Sequence, residues 1–418
     1  MLFLYNLSIY CYYFAIHFAD IFSEKAKLWV NGRRGIFAKM SKDLSKKTAD
    51  SKTRIWVHCA SLGEFEQGRP LIEDLKNEYK EVSIILTFFS PSGYEIRKNY
   101  DKADHIYYLP LDIKQNARKF LNIVQPDMAI FVKYEFWYHY FTQLKQKNIP
   151  TFVVSAIFRS KQIFFKSYGS LFRKILEQTT HIFVQNEKSQ QLLQKIGVLQ
   201  ASVAPDTRFD RVFKHSENVK DLAAIKRFKG NRKMIIIGSS WPKDEMLFAK
   251  LIHQAVFLVD FCFVFAPHEI RSSQMRELEA ALHHDTVRYS VLEKKAAWDK
   301  KALIIDNIGM LSSIYQYADY AYVGGGFGVG IHNVLEAAVF GMPIFFGTNY
   351  HAFQEAKDLI DLDVATAVRN EIDLSKALLD FEEKPDFYEE KSKKARQYVK
   401  NHLGGSKIIL AEIKQYLT

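Results

Sequence analysis

From residue 54 onward, short apolar runs alternate with helical segments, and that alternation limits what this chain can fold into. "IWVHCAS", "VSIILTFFS", "HIYYLP", "MAIFVKY", "TFVVSAIF" and "HIFVQN" are rich in β-branched and aromatic residues and read as buried strands. Strands joined by helices build βα units and parallel sheets. Apolar density falls in "GVLQASVAPDTRFDRVFKHSENVKD", where Pro205 and Asp206 punctuate the chain. The pattern then restarts with "KMIIIGSS", "FCFVFAPHE", "ALIIDNIG", "YAYVGGGFG" and "MPIFFGT", and the end from about Asp380 is charged and helical. A chain of 418 residues exceeds one ordinary core. The expected architecture is therefore α/β, with two facing doubly wound (Rossmann-like) domains and a central cleft. Their bounds are 23–204 and 205–418, the second ending in helices.

The first 22 residues are set apart. "MLFLYNLSIYCYYFAIHFADIF" holds no Lys or Arg and one formal charge, Asp20. It lacks the basic n-region and small-residue cleavage site of a secretory signal. Its length just reaches a bilayer span, while Asn6, Ser8, His17, Asp20 and the tyrosines dilute it toward an interfacial segment. A basic cluster follows: Lys25, Lys27, Arg33, Arg34, Lys39, Lys42, Lys46 and Lys47. Residues 1–22 are thus expected to anchor or dock the chain on a phospholipid surface, with its body on the cytoplasmic side. The net charge of +11 favours anionic partners. Three widely spaced cysteines fit a reducing compartment and show no metal-ligand pattern.

In the first half, "ASLGEFEQGRP" places Glu64 in the turn between a strand and a helix, where open parallel sheets bind ligands. A carboxylate there either caps the helix or acts on a substrate. "FVKYEFWYHY" puts Glu135 beside Trp137 at another strand end; it is either half-buried against aromatics or paired with a base such as Lys133. "DTRFD" holds Arg208 at the domain junction, either facing a phosphate or solvated in a turn.

In the second half, "YVGGGFGVGIHNVLEAAVFGMPIFFG" ends a strand in Gly324, Gly325 and Gly326, which permit close backbone approach. The spacing is neither a dinucleotide fingerprint nor a P-loop. A helix is expected to open near His332 and Asn333, its amides suiting a phosphate and Glu336 a ribose hydroxyl pair. The bland alternative is a tight turn with an Asn cap. Ser239 and Ser240, Pro267 and His268 with Arg271, and Ile308, Gly309 and Met310 mark three further strand-end loops on that face. Asp361-Leu362-Asp363 spells a metal-diphosphate string, but it follows a helix far from any glycine loop and reads as a loop acid pair.

Together "ASLGEFEQGRPLI", "KYEFWY", "DTRFD", "APHE", "DNIGML" and "GGGFGVGIHNVLEAAVFGMPIFFG" resemble the 3-deoxy-D-manno-oct-2-ulosonic acid (Kdo) transferases of lipid A assembly, in order from about residue 25 to the end. The resemblance implies a GT-B fold, an inner-membrane enzyme on the cytoplasmic side, CMP-Kdo as donor, and a tetraacyl disaccharide bisphosphate precursor of lipid A as acceptor. It carries the general base onto Glu64, the acidic aromatic segment onto Glu135 and the junction cation onto Arg208. It carries the CMP-contacting loops onto Pro267 and His268, Ile308 to Met310, and Asn333, Val334, Leu335 and Glu336. This chain has Lys133 where members often carry a second acid, His268 where many have Arg, Arg208 where many have Lys, and Pro205 where Gly is usual.

The chemistry suits these residues. Displacing CMP needs a base for the attacking hydroxyl and cations or amides for the leaving phosphate. No metal or other cofactor is expected, since amides and Arg can hold a monophosphate. One base predicts inversion in a single displacement. The rival readings are a GT-B enzyme using a UDP-sugar and a non-catalytic basic nucleic-acid binder. No RRM, KH or basic-aromatic stripe supports the latter, so no nucleic-acid partner is expected.

Overall fold

The structure, a computed structural model, describes residues 1–44 and 52–417; Lys46 and Lys47 of the basic cluster lie outside the described residues. Each apolar run read as a strand is one. The first sheet comprises β1 (Thr53–Cys59), β2 (Val82–Phe88), β3 (His105–Tyr108), β4 (Met128–Val132), β5 (Thr151–Ala156), β6 (His181–Val184) and β7 (Ala201–Val203). The second comprises β8 (Lys233–Ser240), β9 (Phe261–Pro267), β10 (Thr286–Arg288), β11 (Ala302–Ile304), β12 (Tyr320–Val323), β13 (Ile344–Gly347) and β14 (Ala365–Val368). Sequence reading missed β7, β10 and β14, which are short, partly exposed edge strands without a continuous apolar run.

Both sheets are parallel, in the orders β3-β2-β1-β4-β5-β6-β7 and β10-β11-β9-β8-β12-β13-β14. Val57 of β1 lies between Leu86 of β2 and Ile130 of β4. Strand order therefore reverses beside β1, and likewise beside β8. Connections on either side of such a point leave in opposite directions, opening a crevice at the strands' carboxyl ends.

The chain forms two compact units, Met1–Asp210 with Leu403–Thr418, and Arg211–His402. The division falls after Asp210, where the sequence suggests 204, because the Asp210 carboxylate accepts from the amides of Gly404 (2.6 Å) and Ser406 (2.8 Å). Those bonds start the helix Gly405–Ile413, whose Ile409, Leu410 and Ile413 join the first unit's core with Phe65, Leu71 and Leu75. The C-terminal stretch thus belongs to the first unit, although the sequence assigned it to the second.

The N-terminal helix, Leu2–Ala19, is long and apolar enough to cross a membrane by length and composition. It is not detached from the first unit. Ile9 is buried with Trp29, Val30 and Leu111, and Tyr5 and Ile16 pack beside them. Its other faces expose Phe3, Leu4, Phe14 and Phe18. Arg33 is withdrawn from the expected basic surface. Its guanidinium stacks 3.7 Å over Trp29 and donates to the carbonyls of Leu109, Trp29 and Phe89.

The C-terminal helix gives a direct test of this unit assignment. Ile409→Ala should cost the first unit about 2–5 kcal/mol, as for any fully buried large-to-small change. Urea unfolding followed by the first unit's Trp56 fluorescence, against a variant with Trp56 replaced by Phe as blank, checks it.

Candidate functional site

At the carboxyl end of β1, Ser61 takes an extended backbone conformation and caps the helix Leu62–Glu78, its hydroxyl oxygen accepting from the amide of Gly63 at 3.3 Å. The same hydroxyl donates to Glu64 Oε2. Ser61 and Glu64 thus have the S-x-x-E spacing of a capping box, with the serine doing the capping. No further hydrogen bond to Glu64 is found among the described residues, and its side chain is half-buried. It lies close enough to Tyr134 and Cys59 for its charge to help raise both their pKa values, behind the larger effect of burial.

Glu135 follows β4, across the switch point from Glu64. Lys133 begins the turn at φ 63, a left-handed conformation that reverses the chain after the strand. Glu135 Oε2 accepts from Trp137 Nε1 at 2.9 Å and meets His58 Nε2 at 3.3 Å. His58, wholly buried on β1, was not singled out from sequence. The available signal was an imidazole inside an apolar strand, which must find partners. Its Nδ1 is 2.9 Å from Thr87 Oγ1, which also accepts from Trp56 Nε1 at 2.8 Å. A carboxylate only accepts, so in the contact with Glu135 the His58 Nε2 is the donor.

Arg208 is held by Asp206. Its Nε lies 3.1 Å and its Nη2 2.9 Å from Asp206 Oδ2. The buried Asp206 also accepts from Gln67 (2.6 Å) and Gln185 (2.8 Å). Burial pushes the Asp206 carboxyl up, but Arg208 and these hydrogen bonds outweigh it and leave it below the usual range. Gln67 is three residues from Glu64 on the same helix, so one buried acid fixes both Arg208 and that helix. The solvated-turn alternative does not describe this arrangement.

In the second unit the loops after β8, β9 and β12 meet around Trp241, which sequence reading passed over. Its ring stacks on His268 (centroids 4.9 Å apart, 21° between planes) and its Nε1 donates to His332 Nε2 at 3.2 Å. The His268 and His332 centroids are 4.4 Å apart. The glycines serve close approach: a Cβ on Gly324 would lie 2.3 Å from the Ser239 carbonyl, and one on Gly326 2.5 Å from Gly347 N. The buried Asp244 ties the loops together, accepting from the amides of Trp241 and Gly325 (both 2.9 Å) and from the Tyr322 hydroxyl (2.8 Å).

Several predicted contacts are placed differently from expectation. Ser240 is 0% exposed and donates to Glu245 at 2.9 Å, so its side chain supports the loop from inside. Ser239 adopts φ 52 beside it. Arg271 is exposed and pairs with Glu269 at 2.6 Å. Ile308 is 92% exposed beside Gly309, whose φ of 97 suits glycine, and Met310 stands just before the next helix turn, Leu311–Ile314. Pro267 ends β9. Gly325, at φ 94, and Gly326 are buried in the turn after β12.

The helix expected to open at His332 is a single turn, Leu335–Ala338. Asn333 accepts from the amide of Leu335 at 3.2 Å and donates to Glu336 Oε1 at 3.3 Å. One of the amides reserved for a phosphate is therefore already capped. Val334 and Leu335 bury their side chains, and Glu336 is half-buried near Tyr315. Asp363 of the D-x-D string pairs with the buried Lys391 at 3.3 Å.

This fold, two parallel-sheet α/β units with polar loops gathered at each switch point, is GT-B-like. The UDP-GlcNAc 2-epimerase of Neisseria meningitidis, solved bound to UDP-GlcNAc, shares it with a TM-score of 0.60 at 14% identity, over 87% of this chain and 100% of that one. The family model described as 3-deoxy-D-manno-octulosonic-acid transferase (kdotransferase) matches residues 31–211. A 3-deoxy-D-manno-octulosonic acid transferase of Rickettsia conorii is 26% identical over 338 residues, 79% of this chain and 72% of that one. A bifunctional glycosyltransferase/methyltransferase of Fusobacterium nucleatum subsp. nucleatum is 24% identical over 381 residues, 88% of this chain but 57% of that longer protein. The chain thus matches the Kdo transferase family model over residues 31–211 and is similar to Kdo transferases over most of its length.

The imidazole cluster makes stability depend on pH. Burial, with His268 adding to it, lowers the pKa of His332 to about 4. An indole N–H only donates, so His332 Nε2 must be unprotonated to accept it. With the folded pKa below the usual value, the stabilisation is whole above about pH 6.5 and is lost as pH falls toward 4. The slope from this one group reaches about 1.4 kcal/mol per pH unit within that window. His332→Gln, which can still accept from Trp241, should remove it; urea titrations at pH 4.5, 5.5 and 7 on both proteins measure the difference.

Proposed function

We propose that this chain moves Kdo from CMP-Kdo to a lipid A precursor of the tetraacyl disaccharide bisphosphate type, inverting the anomeric carbon. The observation that carries the reading is Glu64: a half-buried carboxylate in a helix's first turn, at the sheet's switch point, where Ser61 occupies only one of its oxygens. Glu64 takes the proton from the attacking sugar hydroxyl. Glu135, kept in place by Trp137 and His58, supplies a second fixed negative charge beside the reacting centre, where an oxocarbenium-like carbon develops positive charge. Arg208, oriented by Asp206, is assigned to the departing phosphate.

The second unit takes the CMP moiety. The loops after β8, β9, β11 and β12 supply backbone contacts, and Trp241 with His268 presents a flat aromatic surface. Glu336 accepts from the ribose hydroxyls. The leaving group is a monophosphate that a guanidinium and amides can hold, so the reaction as proposed uses no metal. The first unit binds the acylated acceptor, and the apolar N-terminal helix faces the phospholipid of the inner membrane from the cytoplasmic side. The excess of positive charge then favours the bisphosphate and anionic lipid.

Two variants separate the roles. Glu64→Gln keeps shape but cannot accept a proton, so turnover should fall roughly 10²–10⁴-fold while CMP affinity and melting temperature hold. A stable, fully active Glu64→Gln enzyme would remove Glu64 as the base. Glu336→Ala should weaken CMP binding by about 1–3 kcal/mol in calorimetry, the scale of lost charge-assisted hydrogen bonds, with acceptor binding unchanged.

A further inference from the structure

The helix Tyr138–Gln146 starts without a capping side chain of its own, since its N-cap residue is Trp137. Its first three amides are nevertheless all satisfied from elsewhere in the chain. Tyr138 N donates to the Tyr5 hydroxyl at 3.2 Å, and His139 N and Tyr140 N each donate to the Asp112 carboxylate at 3.0 Å. The Tyr5 hydroxyl closes the set by donating to Asp112 Oδ2 at 2.5 Å. One residue along, Asn6 Oδ1 lies 2.7 Å from His139 Nε2. Asp112 is 1% exposed, so losing a partner there leaves a buried carboxylate short of a donor. The Tyr5 and Asn6 bonds come from the same helix whose other faces expose Phe3, Phe14 and Phe18. An anchor alone requires none of them.

The cap lies next to the site. Trp137, the residue just before the capped amides, donates to Glu135 Oε2 at 2.9 Å. Its ring lies on Phe89 (centroids 4.9 Å apart), and Phe89 packs in turn against Tyr12 of the N-terminal helix (5.9 Å). Polar bonds and ring packing thus both run from the N-terminal helix to the indole that holds Glu135.

We propose that the N-terminal helix is a positioning element of the catalytic unit: Tyr5, with Asp112, fixes the first turn of the Tyr138–Gln146 helix and through Trp137 sets Glu135. Tyr5 and Asp112 touch no substrate; they act through Glu135. The proposal rests on the reading that Glu135 belongs to the active site. It has a consequence for the full chain: the helix matters to turnover even when no bilayer is present.

The test uses full-length enzyme in detergent with CMP-Kdo and a dispersed acceptor. Tyr5→Phe removes the hydroxyl and keeps the ring. It should lower kcat about 3–30-fold with the KM for CMP-Kdo unchanged, and Asn6→Ala should act in the same direction more weakly. Glu135→Gln is measured alongside, then combined with Tyr5→Phe. If Tyr5 acts through Glu135, adding Tyr5→Phe to Glu135→Gln costs little more, whereas a merely structural effect multiplies. Should Tyr5→Phe fold poorly, Asn6→Ala carries the same comparison. Fully active Glu135→Gln would overturn the reading of Glu135 itself. A large loss in Glu135→Gln with wild-type kcat in both Tyr5→Phe and Asn6→Ala would overturn the positioning role alone. So would a loss confined to vesicle-embedded acceptor, which would make the helix only an anchor.

Discussion

The reversal of strand order beside β1 and beside β8 is the constraint on which the rest of the site depends. A parallel sheet buries both faces under helices, so its interior is mostly apolar and closed to a ligand. Where neighbouring connections diverge, loops stand free of the helical layers, and polar groups can gather without being buried unpaired. Glu64 and Glu135 follow the two strands that flank the first reversal. Trp241 and the glycine turn after Val323 follow the two that flank the second.

Loops at such points need holding, and here buried acids do it. Asp206 gathers Arg208, Gln67 and Gln185; Asp244 gathers Trp241, Gly325 and Tyr322; Asp112 gathers Tyr5, His139 and Tyr140. Each bond to a charged acceptor is worth about 1.5–3 kcal/mol, while an unsatisfied buried carboxylate costs several. These networks therefore tolerate little movement. They fix geometry more than they add stability, which is what a reaction needing a base and a leaving-group cation in set places requires.

Much of this was readable from the chain. Short continuous apolar runs marked the central strands, the motif string pointed to the Kdo transferases, and Glu64 and Glu135 were named from their places at strand ends. What sequence did not reveal has a common physical cause. β7, β10 and β14 bury only part of their side chains at sheet edges, so their sequence carries no apolar run. His58 meets Glu135 across 77 residues, Trp241 meets His332 across 91, and Tyr5 meets Asp112 across 107. Such pairs exist only once the sheets have formed, and local pattern cannot announce them. The helix read into "HNVLEAAVF" shrank to one turn because its residues are spent on tertiary contacts: Val334, Leu335, Ala337 and Ala338 are all fully buried.

The central claim is the transfer itself, and the mass of the product tests it most directly. The full chain is incubated with CMP-Kdo and the tetraacyl disaccharide bisphosphate in detergent, and the acceptor is then weighed by mass spectrometry. The acceptor should gain whole Kdo units, with CMP released in equal amount and no added metal. An acceptor unchanged in mass with CMP-Kdo, or one extended only when a UDP-sugar is supplied, would contradict it.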